Sequence, residues 1–327
     1  MALERLLDDP ASLGEIQDRT PRLSRGLGPL DDVFSADLAQ DLLFGRGLRA
    51  PYVRLLRDGR ELDVRPVRAG QGATGGRGGA VAEHRQLSGL ADPHHVLAQV
   101  AEGATMVLQS LSLYCPEVAA FCEELAAETG YPVSPTAFLT PPGSQGAAPH
   151  YDLSGVFVRQ LAGAKTWRVR APRQTLPVMR GRAGDVPDTP VVMEVRIEAG
   201  DCLYIPRGFY HEGRTGEEGS VHLSFSEGTE DAWVGLLHDL VDLATHEREA
   251  LRTRLPALPD VMAGRSRQEW HTVRDTLIDH LRALGDEKVA ALIVRRTRAR
   301  QAPSAPAPGV LADRLALAPR AATPTDS

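Results

Sequence analysis

The residues best able to do chemistry in this chain are two histidines and one aspartate, His150, Asp152 and His211. Two imidazoles and one carboxylate form the facial ligand set of a non-haem Fe(II) centre with open coordination positions. Side chains two residues apart lie on the same side of a β-strand, so His150 and Asp152 can hold one ion while Tyr151 faces away. A lone His-x-Asp can also be an ordinary polar strand end, but together with His211 it predicts an oxidising metalloenzyme.

The sequence around these residues predicts a barrel of short strands. Residues 138–146 run from an apolar strand into turn residues. Two β-rich runs, 155–161 and 166–169, are joined by Ala-Gly-Ala-Lys, which predicts a hairpin. Three more short strands are predicted at 191–197, 202–205 and 221–225. Many short strands separated by turns are typical of an antiparallel barrel or jelly roll, whose mouth is wide enough for a metal and a small cosubstrate.

Four linked motifs then carry a family resemblance. They are residues 139–146 (LTPPGSQG), 149–152 (PHYD), 160–169 (QLAGAKTWRV) and 200–211 (GDCLYIPRGFYH). Together they closely resemble the JmjC-type ribosomal oxygenases, a cupin-like branch of the 2-oxoglutarate-dependent dioxygenases. The resemblance implies a mainly β fold with helices: a double-stranded β-helix (a jelly-roll, cupin-like JmjC barrel) followed by a helical dimerisation region.

The resemblance also implies roles for five residues. His150, Asp152 and His211 would ligate Fe(II), with 2-oxoglutarate and O2 as cosubstrates at the open positions. Lys165 would pair with the distal carboxylate of 2-oxoglutarate, and a lysine that faces into a barrel is costly unless it meets an anion. The alternative for Lys165 is a solvated hairpin lysine. Ser224 would offer a hydroxyl to the same carboxylate, or it is an ordinary strand serine.

Some neighbouring positions are left open by the sequence. Phe138 stands where family members often have a tyrosine whose hydroxyl helps to hold 2-oxoglutarate, so that hydrogen bond is missing here or comes from another group. His222 has the strand period to face either the barrel or the outside. Phe157 and Trp167 are candidates for the barrel wall or for simple core. The remaining histidines are expected to be surface or capping groups: His84, His94, His95, His238, His246, His271 and His280.

Composition bounds the possible functions. The 327 residues with 42% hydrophobic content allow one sizeable catalytic domain and a smaller one. A net charge of −6 does not favour nonspecific nucleic-acid binding. Three cysteines without C-x-x-C spacing suggest reduced thiols, and no apolar run reaches membrane-spanning length. We therefore expect a soluble cytoplasmic protein without nucleic-acid or membrane partners.

The chain divides into four predicted segments. Residues 1–96 form a flank of the barrel, 97–230 the JmjC/cupin catalytic core, 231–299 the helical dimerisation region, and 300–327 a disordered Pro/Ala-rich tail. The glycine string 70–75 matches the dinucleotide-binding pattern, but glycines and charges follow it where a helix should begin, so we interpret it as a flexible loop. Helical periodicity is expected at 93–100, 116–128, 233–243 and 273–284.

Three functions fit these observations. The first is an oxygenase that hydroxylates a side chain of a protein or peptide substrate, acting as a homodimer. The second is a tailoring hydroxylase for a small peptide or natural product. The third is a non-catalytic metal-binding cupin, against which the combination of a metal triad with Lys165 argues.

Overall fold

The computed structural model describes residues 1–64, 89–181, 184–228 and 233–300. These residues separate into two units. Among the described residues, the first unit contains Met1–Glu128 and Val133–Ser226, and the second contains Thr129–Pro132 and the described part of 227–300. The glycine string 70–75, His84 and the tail 301–327 lie outside the described residues. None of the described helices is long and apolar enough to cross a bilayer.

The first unit is built on one large antiparallel sheet. Its strands are β1 (Arg22–Ser24), β2 (Val53–Arg57), β3 (Arg60–Leu62), β4 (Thr105–Gln109), β5 (Val133–Thr140), β6 (Val156–Arg170), β7 (Val191–Glu198), β8 (Cys202–Ile205), β9 (Tyr210–Arg214) and β10 (Ser220–Glu227). Hydrogen bonds join them in the order β1-β8-β6-β10-β5-β4-β2-β3, and β7 and β9 both pair with β6. Together with the helices described below, this large antiparallel sheet makes a mixed α/β fold that is consistent with the jelly roll that the strand pattern predicted.

The predicted hairpin within β6 is wrong. The chain continues without a turn from Val156 to Arg170, so that the first half of β6 pairs with β8 and β10 and the second half pairs with β7 and β9. Gly163 has a φ of +62°, and a Cβ at this position would overlap the carbonyl oxygen of Gly219. The glycine therefore makes an irregularity inside one long strand instead of a turn between two strands.

This irregularity changes which side chains of β6 face the inner side of the sheet, where the smaller of the two buried hydrophobic clusters lies. Val156 and Val158 pack in the same buried cluster as Trp167 and Val169, so the inward positions shift from even to odd numbers along the strand. Because side chains alternate strictly in a regular strand, such a shift requires a break in the pleat. The break places Lys165, two residues before Trp167, on the inner side.

Helices of the first unit cover the other face of the sheet. They are α1 (Leu13–Ile16), α2 (Ala36–Gly45), α3 (Pro93–Ala101) and α4 (Pro116–Thr129). The last two confirm the helices predicted at 93–100 and 116–128. Asp92 caps α3 by accepting hydrogen bonds from the backbone N–H groups of His94 and His95. Leu6, Phe34 and Leu125 are fully or almost fully buried in the large core cluster between helices and sheet.

A buried arginine joins the N-terminal segment to the sheet. The Arg159 side chain is fully buried, and its guanidinium donates hydrogen bonds to the backbone carbonyls of Arg5, Gly28, Gln160 and Asp201. Buried arginine is tolerated only where its donors are satisfied in this way. The N-terminal residues, including β1 against β8, are therefore an integral part of the first unit.

The second unit is helical, as its periodicity predicted. Its helices are α5 (Trp233–Glu247), α6 (Leu258–Met262), α7 (Arg267–Ala283) and α8 (Asp286–Arg300). The expectation for His280 is wrong, because this side chain is only 2% exposed and its Nδ1 lies 3.7 Å from a carboxylate oxygen of Glu247. His280 lies on the face of α7 that is buried in this unit, and helical periodicity alone did not show which face that is.

Candidate active site

The structure brings together the three residues expected to bind a metal. His150 and His211 face each other in an isolated antiparallel bridge, in which each backbone N–H donates to the other's carbonyl at 3.2 and 2.8 Å. The strand expected at His150–Asp152 is limited to this bridge, because Tyr151 and Asp152 already leave the sheet. Asp152 nevertheless returns its carboxylate to the same point as the two imidazoles.

The donor atoms are close enough to share one ion. The Asp152 Oδ2 atom lies 3.6 Å from His211 Nε2 and 4.0 Å from His150 Nε2. One ligand atom from each of the three residues lies within 4.8 Å of the others. His150 and Asp152 are half-buried whereas His211 is buried, so the site opens to solvent on one side. Two imidazoles and a carboxylate gathered at one point fit an Fe(II) ion with open positions.

Backbone carbonyls set the protonation of both imidazoles. His150 Nδ1 lies 2.8 Å from the carbonyl oxygen of Ala148, and His211 Nδ1 lies 3.1 Å from that of Phe209. A carbonyl only accepts, so each Nδ1 carries the hydrogen and each Nε2 keeps its lone pair for a metal. Burial, and secondarily the neighbouring His150, lowers the pKa of His211 to about 4, which keeps its imidazole neutral at physiological pH.

Lys165 lies on the inner side of the second half of β6. Its side chain is 4% exposed, and its Nζ donates a hydrogen bond to Thr140 Oγ1 at 3.0 Å. Burial lowers the pKa of the Lys165 amine to about 7. Glycine at 213 makes room for it, since a Cβ there would lie 3.0 Å from Lys165 Cε. An ammonium has three donors, so Lys165 has further hydrogens to offer an anion.

Aromatic rings connect Lys165 to the metal triad. The Trp167 ring lies 5.5 Å from Lys165 Nζ, 6.0 Å from the His211 ring and 5.5 Å from the His222 ring. His222 in turn stacks on Phe138, with ring centroids 4.8 Å apart and planes 10° from parallel. Trp167 therefore lines the wall between the two groups, and His222 faces inward.

The structure also places the remaining candidates. Ser224 is buried on β10, two residues beyond His222 and opposite Val158. Phe157 is not a wall residue, because it packs on Tyr204 in the large core cluster on the other face of the sheet. Thr140 and Gly213 were missed. Both act through contacts with Lys165, and a threonine or a glycine in a sequence gives no sign of such a contact.

Comparisons with known proteins agree with this arrangement. Residues 113–232 match the model of the JmjC domain family. Over 205 residues the chain is 32% identical to the bifunctional lysine-specific demethylase and histidyl-hydroxylase NO66 of Drosophila pseudoobscura pseudoobscura, covering 60% of this chain and 22% of that protein. It is 29% identical over 313 residues to ribosomal oxygenase 1 of Danio rerio, covering 87% of this chain and 56% of that one.

Solved structures show the same fold. The Escherichia coli ribosomal oxygenase YcfD in complex with cobalt and 2-oxoglutarate superposes with a TM-score of 0.55 at 18% identity, covering 88% of this chain and 70% of that one. A second YcfD structure gives a TM-score of 0.56 at 19% identity, covering 88% and 69%. The chain spans between about a fifth and about half of the two curated relatives described above. The likeness to the JmjC-type ribosomal oxygenases that the four motifs predicted is thus confirmed.

Proposed function

We propose, on the premise that residues 113–232 form a JmjC domain, that this protein is a 2-oxoglutarate- and Fe(II)-dependent oxygenase that hydroxylates an amino-acid side chain of a protein substrate. One observation carries the proposal: a metal triad and a buried lysine with spare donors both lie next to the Trp167 ring, which is 6.0 Å from the His211 ring and 5.5 Å from Lys165 Nζ. A 2-oxo dicarboxylate has a chelating end and an anionic end that match these two groups.

Each residue has a definite task in this proposal. His150 and His211 present their Nε2 atoms and Asp152 a carboxylate oxygen, and these three hold the metal. When bound, Fe(II) and 2-oxoglutarate supply the oxidation by O2 that yields succinate, carbon dioxide and one hydroxyl group on the substrate. Lys165 holds the distal carboxylate, with the Ser224 hydroxyl as an additional donor. Trp167 keeps bulk water away from the space between them.

The proposed substrate class is a protein. Its support is the printed description of the relatives, one a histidyl-hydroxylase and others ribosomal oxygenases. The half-exposed side of the triad, at His150 and Asp152, gives a side chain of another protein access to the metal.

Mass spectrometry of proteins treated with the enzyme tests this function. Ribosomal proteins from cells that lack this protein are incubated with purified wild type or His150→Ala, together with Fe(II), 2-oxoglutarate and O2. We expect a peptide that gains the mass of one oxygen atom only with the wild type and only when 2-oxoglutarate is present. A wild type that consumes 2-oxoglutarate but modifies no protein, and instead oxidises a small peptide, would replace the protein substrate by the tailoring reaction.

We also propose that the helical segment 231–299 serves homodimerisation. The exposed apolar side chains of the second unit support this, and they include Trp233, Leu237, Leu255, Leu258, Met262 and Trp270. Amphipathic helices that leave such side chains in water are stabilised by association. Light scattering should give twice the chain mass for the wild type, and a lower mass for Trp270→Glu with Leu258→Glu.

A cytoplasmic location is a further part of the proposal. All three cysteines, Cys115, Cys122 and Cys202, are buried and free, and burial raises the pKa of each thiol above its usual value. Such thiols are inert packing groups, which suits a reducing compartment.

A further inference from the structure

Two buried nitrogen atoms near Lys165 have no hydrogen-bond partner among the described residues. They are Trp167 Nε1 and His222 Nδ1. The Trp167 side chain is 7% exposed and the His222 side chain 1% exposed, so solvent does not satisfy them either. A buried polar group without a partner costs about 1–3 kcal/mol. Two such groups side by side indicate that an acceptor-rich ligand belongs between them.

The position of His222 is held by its neighbours. Phe138 stacks flat against one face of its ring, and Trp167 meets it edge to face at an interplanar angle of 78°. The strand β10 fixes its backbone opposite Gln160, where the register shifts next to Val221. The Phe138 and Trp167 rings thus fix the plane of the His222 imidazole by packing alone, and neither of its nitrogen atoms is needed for this.

The charge around His222 decides what it can bind. Burial, and secondarily the nearby Lys165 amine, lowers the pKa of His222 well below its usual value, so the ring is neutral. A neutral imidazole carries one N–H. Because His222 is neutral, no second positive charge lies beside the Lys165 ammonium. Lys165 and the Nδ1-protonated form of His222 would thus be two neighbouring donors, of which only Lys165 can bring a positive charge.

We propose that His222 donates a hydrogen bond from Nδ1 to the same carboxylate that Lys165 binds, with Phe138 as the surface that orients its ring. The inference rests on the proposed function and names a further binding residue for its cosubstrate. A carboxylate has about four acceptor sites, enough for Lys165 and His222 and also for the unpartnered Trp167 N–H. Phe138 lacks the hydroxyl that a tyrosine at this position would offer to the carboxylate, and His222 supplies a hydrogen bond in its place.

Binding measurements without turnover test the proposal. Cobalt-loaded protein is titrated anaerobically with 2-oxoglutarate and with 2-oxobutanoate, which lacks the distal carboxylate, in a calorimeter. His222→Phe keeps a flat ring on Phe138 but removes the N–H, and His222→Asn places an amide N–H where Nδ1 was. We expect His222→Phe to bind 2-oxoglutarate about tenfold more weakly, since a hydrogen bond to a charged group is lost. His222→Asn should recover most of the affinity, and 2-oxobutanoate should bind all three proteins equally.

The outcomes separate this inference from the function on which it rests. If the wild type and His222→Phe bind 2-oxoglutarate equally, or if His222→Phe weakens both keto acids alike, His222 does not contact the distal carboxylate and only the inference fails. If the wild type binds cobalt but neither keto acid, the proposed function and the inference fail together. Unchanged cobalt spectra and melting temperatures in the variants show that the fold and the metal site are intact.

Discussion

The metal triad, which forms the metal end of the proposed site, and the surroundings of Lys165, which form its lysine end, differ in how far their polar groups are satisfied by the protein itself. At the metal end, His150 and His211 each place Nδ1 on a backbone carbonyl, so their orientation is complete before any ligand arrives. At the lysine end, Lys165 has one partner, and the nearby nitrogen atoms of Trp167 and His222 have none among the described residues. The metal end is therefore preorganised by the backbone, whereas the lysine end carries a desolvation cost that a bound carboxylate would offset.

The largest effect is expected from breaking the metal end. Replacing His211 by alanine removes one of three ligands, and metal affinity should fall by more than about 100-fold. Cobalt titration followed by visible absorption measures this directly. His246→Ala is the matched control, because His246 is an exposed residue of α5 in the second unit. A His211→Ala protein that binds cobalt as the wild type does would show that the triad is not the metal site.

Gly163 makes the irregularity in β6 that turns the Lys165 side chain to the inner side of the sheet. Alanine at 163 would both adopt an unfavourable positive φ and overlap Gly219, so we expect the free energy of unfolding to fall by at least about 2 kcal/mol. Urea denaturation measures it. Gly216→Ala is the control in the neighbouring loop, where an added Cβ meets nothing within 4 Å. Equal stability of the two variants would mean that the inward shift of Lys165 does not depend on this glycine.

Binding at the lysine end should also depend on pH. Burial lowers the pKa of Lys165 to about 7, and a carboxylate beside the ammonium raises it again in the complex. Binding of 2-oxoglutarate therefore takes up a proton above pH 7, and affinity should fall by up to about tenfold per pH unit as the pH rises above that value. Calorimetry in buffers of different ionisation enthalpy measures the proton uptake. Lys165→Met should show neither the uptake nor the slope.

Thr140 should produce the smallest effect. Its hydroxyl accepts a hydrogen bond from Lys165 and lies 3.2 Å from Thr105 Oγ1. Thr140→Val keeps the shape but removes this contact, which costs about 1 kcal/mol and predicts about a fivefold loss in 2-oxoglutarate affinity. Cobalt affinity should not change. A larger loss than in Lys165→Met would mean that Thr140 contacts the ligand directly.

How much the sequence revealed also differs between the two ends. His150, Asp152 and His211 were recognisable because the metal demands fixed ligand types. The environment of Lys165 was not, since Thr140 and Gly213 act only through three-dimensional contacts with it. These contacts depend on how β5, β6 and β9 come together in the folded unit, which the local sequence around each residue does not show.

The secondary structure shows the same limit. Long periodic segments such as α5 and α7 were predicted because their apolar faces repeat over several turns. The hairpin at Gly163 was wrong because a glycine with positive φ serves a bulge as well as a turn. The bounds of strand β9 were not predicted because its five residues include Glu212 and Arg214, whose charges hide the alternation that places His211 and Gly213 inward. For Phe157 the sequence left the barrel wall and the simple core open, because alternation alone does not say which face of a two-sided sheet holds the site.

Succinate formation from 2-oxoglutarate tests most directly whether the two ends form one active site. Purified wild type, His150→Ala and Lys165→Met are loaded anaerobically with Fe(II) and then given O2 over a range of 2-oxoglutarate concentrations. We predict Fe(II)-dependent succinate from the wild type and none from His150→Ala. Lys165→Met should need about 10–100 times more 2-oxoglutarate, because a charge-assisted contact is lost. No succinate from the wild type, or an unchanged requirement in Lys165→Met, would contradict the account.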